Sequence, residues 1–208
     1  MEFFNIVPTA IWTFALTSFL IELTPGPNMT YLAIVAASRG RLQGFATVAG
    51  VAIGLATIGV AGALGVSVLI QSSALLYEGL RWAGFIFLLY LAWDAWRATP
   101  EEPGATQPNM GQYFARGFLT NILNPKAAVF YVAVLPTFLD DANDVLGQTI
   151  ILTAVYVGVA TVIHAAIVVL AGSAQALLTN PAREQFVRRV LALLLAAVAV
   201  WFFVKTAA

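Results

Sequence analysis

Two proline-centred segments, one hundred positions apart, interrupt what would otherwise be continuous apolar helix. The first reads Leu23-Thr24-Pro25-Gly26-Pro27-Asn28-Met29-Thr30-Tyr31-Leu32-Ala33, the second Leu123-Asn124-Pro125-Lys126-Ala127-Ala128-Val129-Phe130-Tyr131-Val132-Ala133. Leu, Pro, Tyr and Ala coincide at constant offset, and upstream Phe14-Ala15 coincides with Phe114-Ala115. Proline lacks an amide donor and its ring clashes with the preceding turn, so it breaks a helix. In lipid such a break is costly unless the freed backbone faces protein, water or a ligand. Two breaks at matching places predict a transporter built from two related halves.

The surroundings of the breaks require a membrane. The 208 residues are 61% hydrophobic and 10% charged, with mean hydropathy +0.88, too apolar for a soluble domain of this length. The start, Met1-Glu2-Phe3-Phe4-Asn5, lacks the basic region of a signal peptide, and its apolar stretch leads into Thr-Pro-Gly-Pro-Asn rather than a small-residue cleavage site. Cysteine is absent, which removes disulfides and thiolate metal or redox sites. A net charge of zero offers no basic surface for nucleic acid.

Six apolar blocks approach the ~20 residues that cross a bilayer. The first runs from about Phe3 past the proline motif to Ser38, too long for one straight span. The others cover Leu42–Ile70, Leu75–Trp96, Tyr113–Phe138, Gly147–Gly172 and Val190–Val204. The polar, proline-bearing stretch 99–110 is the one plausible linker, dividing the chain into repeat one (1–98) and repeat two (111–208). Basic residues set the orientation. Arg39 and Arg41 lie in the first loop, Arg97 and Arg116 flank the third, and Arg183, Arg188 and Arg189 lie in the fifth. The second loop, 71–73, has none, and the fourth, around Asp140, Asp141 and Asp144, is acidic. Odd loops therefore face the cytoplasm and both termini lie outside. With three spans per half, the second half enters from the opposite side. The expected fold is an all-α integral membrane protein, with six transmembrane helices as two inverted three-helix repeats and proline-broken first and fourth spans.

The breaks are the candidate site. Pro25 and Pro27 bracket Gly26 and disfavour helix before each proline. Asn28 is placed to cap the helix restarting at Met29, and Asn124 precedes Pro125 as an N-cap followed by proline at the first helical position. Asn121 lies one turn earlier. Helix N-termini favour a carboxylate and orphan carbonyls favour an ammonium, so the pair suits a zwitterion or separate ions. Glu22 precedes Pro25 by three residues and Lys126 follows Pro125. Intramembrane charges face a cavity or a partner, so Glu22 suits a substrate ammonium or a coupling proton. Lys126 suits a substrate carboxylate, or Glu22 itself. Against these stand plainer readings: kinks that only shape packing, and a Glu22 solvated at the interface.

His164, the one histidine, sits among apolar residues, where a neutral packing role competes with a proton relay. Asp94 and Arg97 are spaced for an i,i+3 pair. Gly40-xxx-Gly44 and Gly50-xxx-Gly54 permit close backbone approach, either within the chain or in a homodimer. The DDxxD spacing of Asp140, Asp141 and Asp144 occurs once, in a short loop, and reads as solvated. HExxH, G-x-S-x-G and P-loop patterns are missing, so the sequence predicts no enzyme, no metal, no cofactor and no ATP hydrolysis.

At these residues the chain resembles the LysE/RhtB family of bacterial amino-acid exporters. Pro25-Gly26-Pro27-Asn28, Ser38-Arg39-Gly40, the glycines through Gly54, Tyr90-Leu91-Ala92-Trp93, and Asn124-Pro125-Lys126-Ala127 with Tyr131 carry the likeness along the whole length. Asp94 departs from it, standing where many relatives carry glycine. The resemblance implies amino-acid efflux across the bacterial inner membrane, driven by the proton gradient, with a small-molecule substrate and the lipid bilayer as partners. The competing class is a cation channel or metal-ion permease on a related scaffold. It is disfavoured because intramembrane acids are sparse and hard cations want several oxygen ligands.

Overall fold

The computed structural model describes residues 8–23, 26–64, 74–97, 109–140, 144–173 and 181–205, and among these every regular element is helical. Helix α1 spans Pro8–Leu23 and α2 spans Pro27–Arg39. Pro25 lies outside the described residues. Helix α3, Arg41–Ala63, follows α2 almost without a loop. Gly40 alone separates them, at φ 103°, a left-handed conformation that glycine adopts without steric cost. Its amide bonds back to the Ala36 carbonyl (3.1 Å). Helix α4 spans Ala74–Arg97, α5 Met110–Ile122 and α6 Pro125–Val129. A π-helical turn, Phe130–Val134, and a 3-10 turn, Leu135–Phe138, continue α6. Helix α7, Val145–Ser173, and α8, Pro181–Lys205, complete the order.

Helices α3 and α7 are each long and apolar enough to cross a membrane. The path through α5 and α6, bent by 51° at the second break, forms a third such unit, and α1 is a shorter apolar helix. Two boundaries differ from the sequence reading. The Asn109 side chain accepts from the Gly111 amide (3.2 Å), so α5 starts at Met110, inside the stretch read as linker. Helix α8 starts at Pro181, not Val190. Arg183, Arg188 and Arg189 therefore ride on a helix rather than in the fifth loop, because a proline at the first helical position starts a helix even where composition is polar.

Glycine decides how closely the helices approach. A Cβ at Gly50 of α3 would lie 2.0 Å from the Phe114 carbonyl oxygen of α5, and one at Gly117 of α5 would lie 2.3 Å from the Thr47 carbonyl oxygen of α3. Each helix thus offers a glycine to the other's backbone, the small-residue contact by which helices associate in lipid. The Gly50-xxx-Gly54 pair is spent on this internal contact. Helix α7 packs on α1, α2 and α3, and α4 packs on α8.

The two ends of this bundle differ. At the end holding Arg39, Arg97 and Arg116, a cavity of about 310 Å³ opens between α2, α4 and α5. At the opposite end Phe14, Phe130, Phe138, Tyr131 and Tyr156 fill the interior.

Candidate functional site

Glu22, the second-last residue of α1, is buried. The Tyr156 hydroxyl of α7 donates to its Oε1 at 2.7 Å. Lys126 Nζ of α6 lies 3.6 Å from the same oxygen, and His164 Nε2 of α7 lies 3.5 Å from Oε2. Three elements remote in sequence thus converge on one carboxylate. A buried carboxylate persists when charge and hydrogen bonds replace its water, and here a cation and a phenol do so. The solvated reading of Glu22 is overturned. So is a solitary His164, because helix α7 carries it to the carboxylate.

A second polar contact joins the two breaks directly. Asn28 Nδ2 donates to Asn121 Oδ1 at 2.7 Å, with both residues buried. Asn28 therefore does not cap α2. That helix starts at Pro27 with Gly26 as an extended N-cap (φ −156°) that makes no side-chain bond, and proline at the first position leaves Asn28 inside the helix. The Gly26 carbonyl is taken by the Thr30 amide and hydroxyl (both 3.1 Å). At the second break the expectation holds. Asn124 Oδ1 accepts the Lys126 amide (3.0 Å), with Pro125 at the first helical position. The amide–amide contact leaves Asn28 Oδ1 and Asn121 Nδ2 buried without hydrogen-bond partners among the described residues. The junction thus holds one unpaired buried acceptor and one unpaired buried donor.

Beyond this junction Phe130 stacks on Tyr156 (centroids 3.7 Å, planes 15° apart), and Tyr131 meets Tyr156 edge-on at 5.5 Å. Phe14 packs against Phe130 and Phe138 at 5.6 and 5.1 Å. The π-helical turn presents Phe130 and Tyr131 to this wall. On the other side lies the cavity, with Asp94 and Arg116 on its lining and a 2.5 Å contact between them. The i,i+3 pairing of Asp94 with Arg97 is thus overturned. The α5 backbone brings Arg116 to Asp94, while the Arg97 guanidinium lies 5.1 Å above the Trp93 ring.

Two participants escaped the sequence reading, Tyr156 and the Asp94–Arg116 pair. Tyr156 was detectable. Thr149, Thr153, Tyr156, Ala160 and His164 recur at helical spacing, and all but Ala160 bear polar groups on a buried face of an otherwise apolar helix. The Asp94–Arg116 contact joins helices far apart in sequence, and no local spacing announces it. Of the acidic DDxxD residues, Asp144 accepts the Gly147 amide (3.0 Å), and the Gln148 side chain binds the Asp140 backbone through both its groups (2.9 and 3.0 Å). Asp141 lies outside the described residues.

The LysE type translocator family matches this chain over residues 19–206. A homoserine/homoserine lactone efflux protein of Salmonella typhimurium is 32% identical over 157 residues, 73% of this chain and 74% of its own length. A protein of the same description from Salmonella typhi aligns to the same extent. An uncharacterized membrane protein of Pseudomonas aeruginosa is 29% identical over 172 residues, 79% of this chain and 80% of its own. No solved structure matches the chain.

Proposed function

The chain belongs to the LysE type translocator family, and from that premise we propose that it is a secondary exporter of an amino acid or close derivative, not an enzyme. It works in the bacterial inner membrane and is coupled to the proton gradient. The observation that carries this reading is the convergence of Glu22, Lys126, His164 and Tyr156 beside the Asn28–Asn121 contact. A zwitterion needs an anion and a cation held near neutral polar groups, and the junction holds all three. Relatives named for homoserine and homoserine lactone efflux support a small amino-acid-like cargo.

The proposed architecture is six spans in two inverted repeats, with both termini outside. Its support is the part of the packing that a two-fold exchange of halves preserves, the packing of α2 on α3 and α7 having no equal counterpart. Helix α3 packs on α5 as α7 packs on α1, and the pairs α3–α7 and α4–α8 map onto themselves. Under this orientation the cavity faces the cytoplasm and the aromatic wall closes the outer side. That is an inward-facing state suited to loading an exported substrate. For export, Glu22 must exchange partners. Opening of the Phe14–Phe130–Tyr156 wall frees the substrate outward and admits a proton from outside to the Glu22–His164 contact, which loosens Lys126; return to the inward-facing state releases that proton to the cytoplasm. A metal-cation permease is disfavoured because Lys126 and His164 already face Glu22, the one carboxylate of the junction among the described residues, whereas a hard cation wants several oxygen ligands.

Proteoliposomes tested against a panel of amino acids, with and without a proton gradient, decide the function. Pro25→Ala and Lys126→Ala should each abolish efflux while the protein remains in the membrane. Undiminished efflux from both variants would sink the site assignment, and gradient-independent accumulation would sink the coupling.

A further inference from the structure

We propose that the groove between α4 and α8 seats one acyl chain of an anionic phospholipid, with the Arg189 guanidinium holding the lipid phosphate at its head end. The site lies apart from the Glu22 junction and from the cavity, and binding there does not depend on the exporter reading.

The contact between α4 and α8 is unequal along its length. At the end far from Arg97 it is closed by rings. Phe203 stacks on Phe85 with centroids 4.5 Å apart and meets Trp82 edge-on at 4.6 Å. Toward the other end the facing residues shrink to Ala92 of α4 and Ala192 and Ala196 of α8, and a groove of about 320 Å³ opens between the helices. Ala92 and Ala192 are buried and form its floor, while Trp93, Trp96 and Leu193 are exposed along its rims. From Leu89 to Trp96 the groove follows α4 for about 10 Å, at ~1.5 Å per residue. That is some two-thirds of the ~15 Å of hydrocarbon in one leaflet. A trough with an alanine floor and apolar rims fits a run of methylenes, whose gain within lipid is close packing rather than escape from water.

The head end carries the charge. The Arg189 guanidinium of α8 lies 5.2 Å from the centre of the Trp96 ring, and that of Arg97 of α4 lies 5.1 Å from the Trp93 ring. Each therefore rests on an indole that is itself a rim of the groove. Stacking engages the face of a guanidinium and not its in-plane N–H edge, which is the edge that grips a phosphate. Arg189 is exposed, and its position marks where headgroups would meet the helices. Tryptophan belongs at that level. Under the proposed orientation the level is the cytoplasmic one, where basic side chains between membrane helices hold anionic lipid headgroups.

A second copy of the chain is the competing occupant, and the place of Arg189 argues against it. A dimer with its two-fold along the membrane normal sets equal heights of one face against each other. Arg189 would then stand near its own counterpart, an approach that like charge disfavours. A phosphate at that height meets the same residue with the opposite sign.

The groove also backs onto the core. Ala92 belongs to the buried cluster that contains Tyr31, Ile34 and Val35 of α2. A chain seated on Ala92 steadies α4 and α8 against α2, and a lipid that binds the folded protein raises its melting temperature by mass action.

Delipidated protein in detergent, titrated with phosphatidylglycerol or with phosphatidylcholine of the same chains, tests the site by native mass spectrometry and melting temperature. Wild type should bind phosphatidylglycerol about fivefold more tightly than phosphatidylcholine, the contribution of one basic residue near an anionic headgroup, and melt higher with it. Arg189→Gln should lose that preference, keep its affinity for phosphatidylcholine and melt like wild type without lipid. Arg189→Lys should retain most of the preference. Ala196→Leu, which fills the groove, should weaken both lipids alike. Equal binding of the two lipids by wild type, or an undiminished preference in Arg189→Gln, would overturn the phosphate contact. Unchanged lipid affinities in Ala196→Leu would overturn the groove as the seat. A wild-type dimer that Ala196→Leu converts to monomer would give the groove to a second copy and overturn the proposal outright. Transport enters none of these readouts, so failure here is distinct from failure of the exporter reading.

Discussion

The two proline breaks share a motif and solve the same backbone problem differently. At the second, Asn124 caps the restarting helix and binds the Lys126 amide. At the first, the matching position is occupied by residue 24, outside the described residues, and the restarting helix has an extended Gly26 as N-cap with no side-chain bond. The asparagine that the first break does possess, Asn28, is turned across the molecule to Asn121. One break is therefore closed locally by its own side chain, while the other is closed by its partner. The charges are divided in the same way, with Glu22 ahead of the first break and Lys126 behind the second. On the proposed reading the two breaks form one two-part site in which neither half is complete.

That division is tested most severely by removing its shared charge. Glu22→Gln leaves Lys126 buried without its carboxylate, and breaking a buried pair from one side costs about 3–5 kcal/mol. Transport should fall at least 100-fold, and the melting temperature in detergent should drop with it. Glu22→Gln/Lys126→Met, which removes both charges, should recover much of the stability and none of the transport. Recovered transport would show that the pair is only structural.

The second largest effect should come from Gly84 on α4, where an added Cβ would lie 2.1 Å from the Leu123 carbonyl oxygen at the lip of the second break. Backbone cannot yield cheaply there, so Gly84→Ala should cost about 1–3 kcal/mol by overpacking and displace Asn124 and Lys126 together. Gly62, whose Cβ would meet nothing within 4 Å, is the control. Gly62→Ala should be neutral or stabilising by up to about 1 kcal/mol, through helix propensity. Equal melting temperatures for the two variants would mean that α4 does not brace the second break.

How much of this was legible in the sequence follows from the range of each interaction. The breaks, the Asn124 cap, Pro125 at the first helical position and the glycine-mediated approach of α3 depend on residues a few positions apart, and local spacing revealed them. Asn28 was misread because its neighbour Pro27 starts the helix earlier than a capping asparagine would. Glu22 and Lys126 were singled out as charges in apolar sequence, but their contact with His164 and Tyr156 arises only when α1, α6 and α7 pack. Asp94 was assigned to its sequence neighbour Arg97 although Arg116, on another helix, is the residue that meets it. Chain topology, not composition, decided those pairings.

The smallest difference is also the sharpest test of the unequal breaks. Asn28→Ala removes a buried bond between α2 and α5 and strands the Asn121 side-chain oxygen, a cost of about 1–3 kcal/mol. Asn124→Ala removes a single N-cap bond, worth about 1 kcal/mol. Asn28→Ala should therefore melt lower than Asn124→Ala. It should also impair transport more, because the Asn28–Asn121 contact fixes the spacing of the two halves while the Asn124 bond fixes only the pitch of one short helix. Equal melting temperatures and equal transport losses would make the breaks equivalent after all, each stabilised on its own. A larger loss from Asn124→Ala would reverse the assignment, making the second break the one on which the site depends.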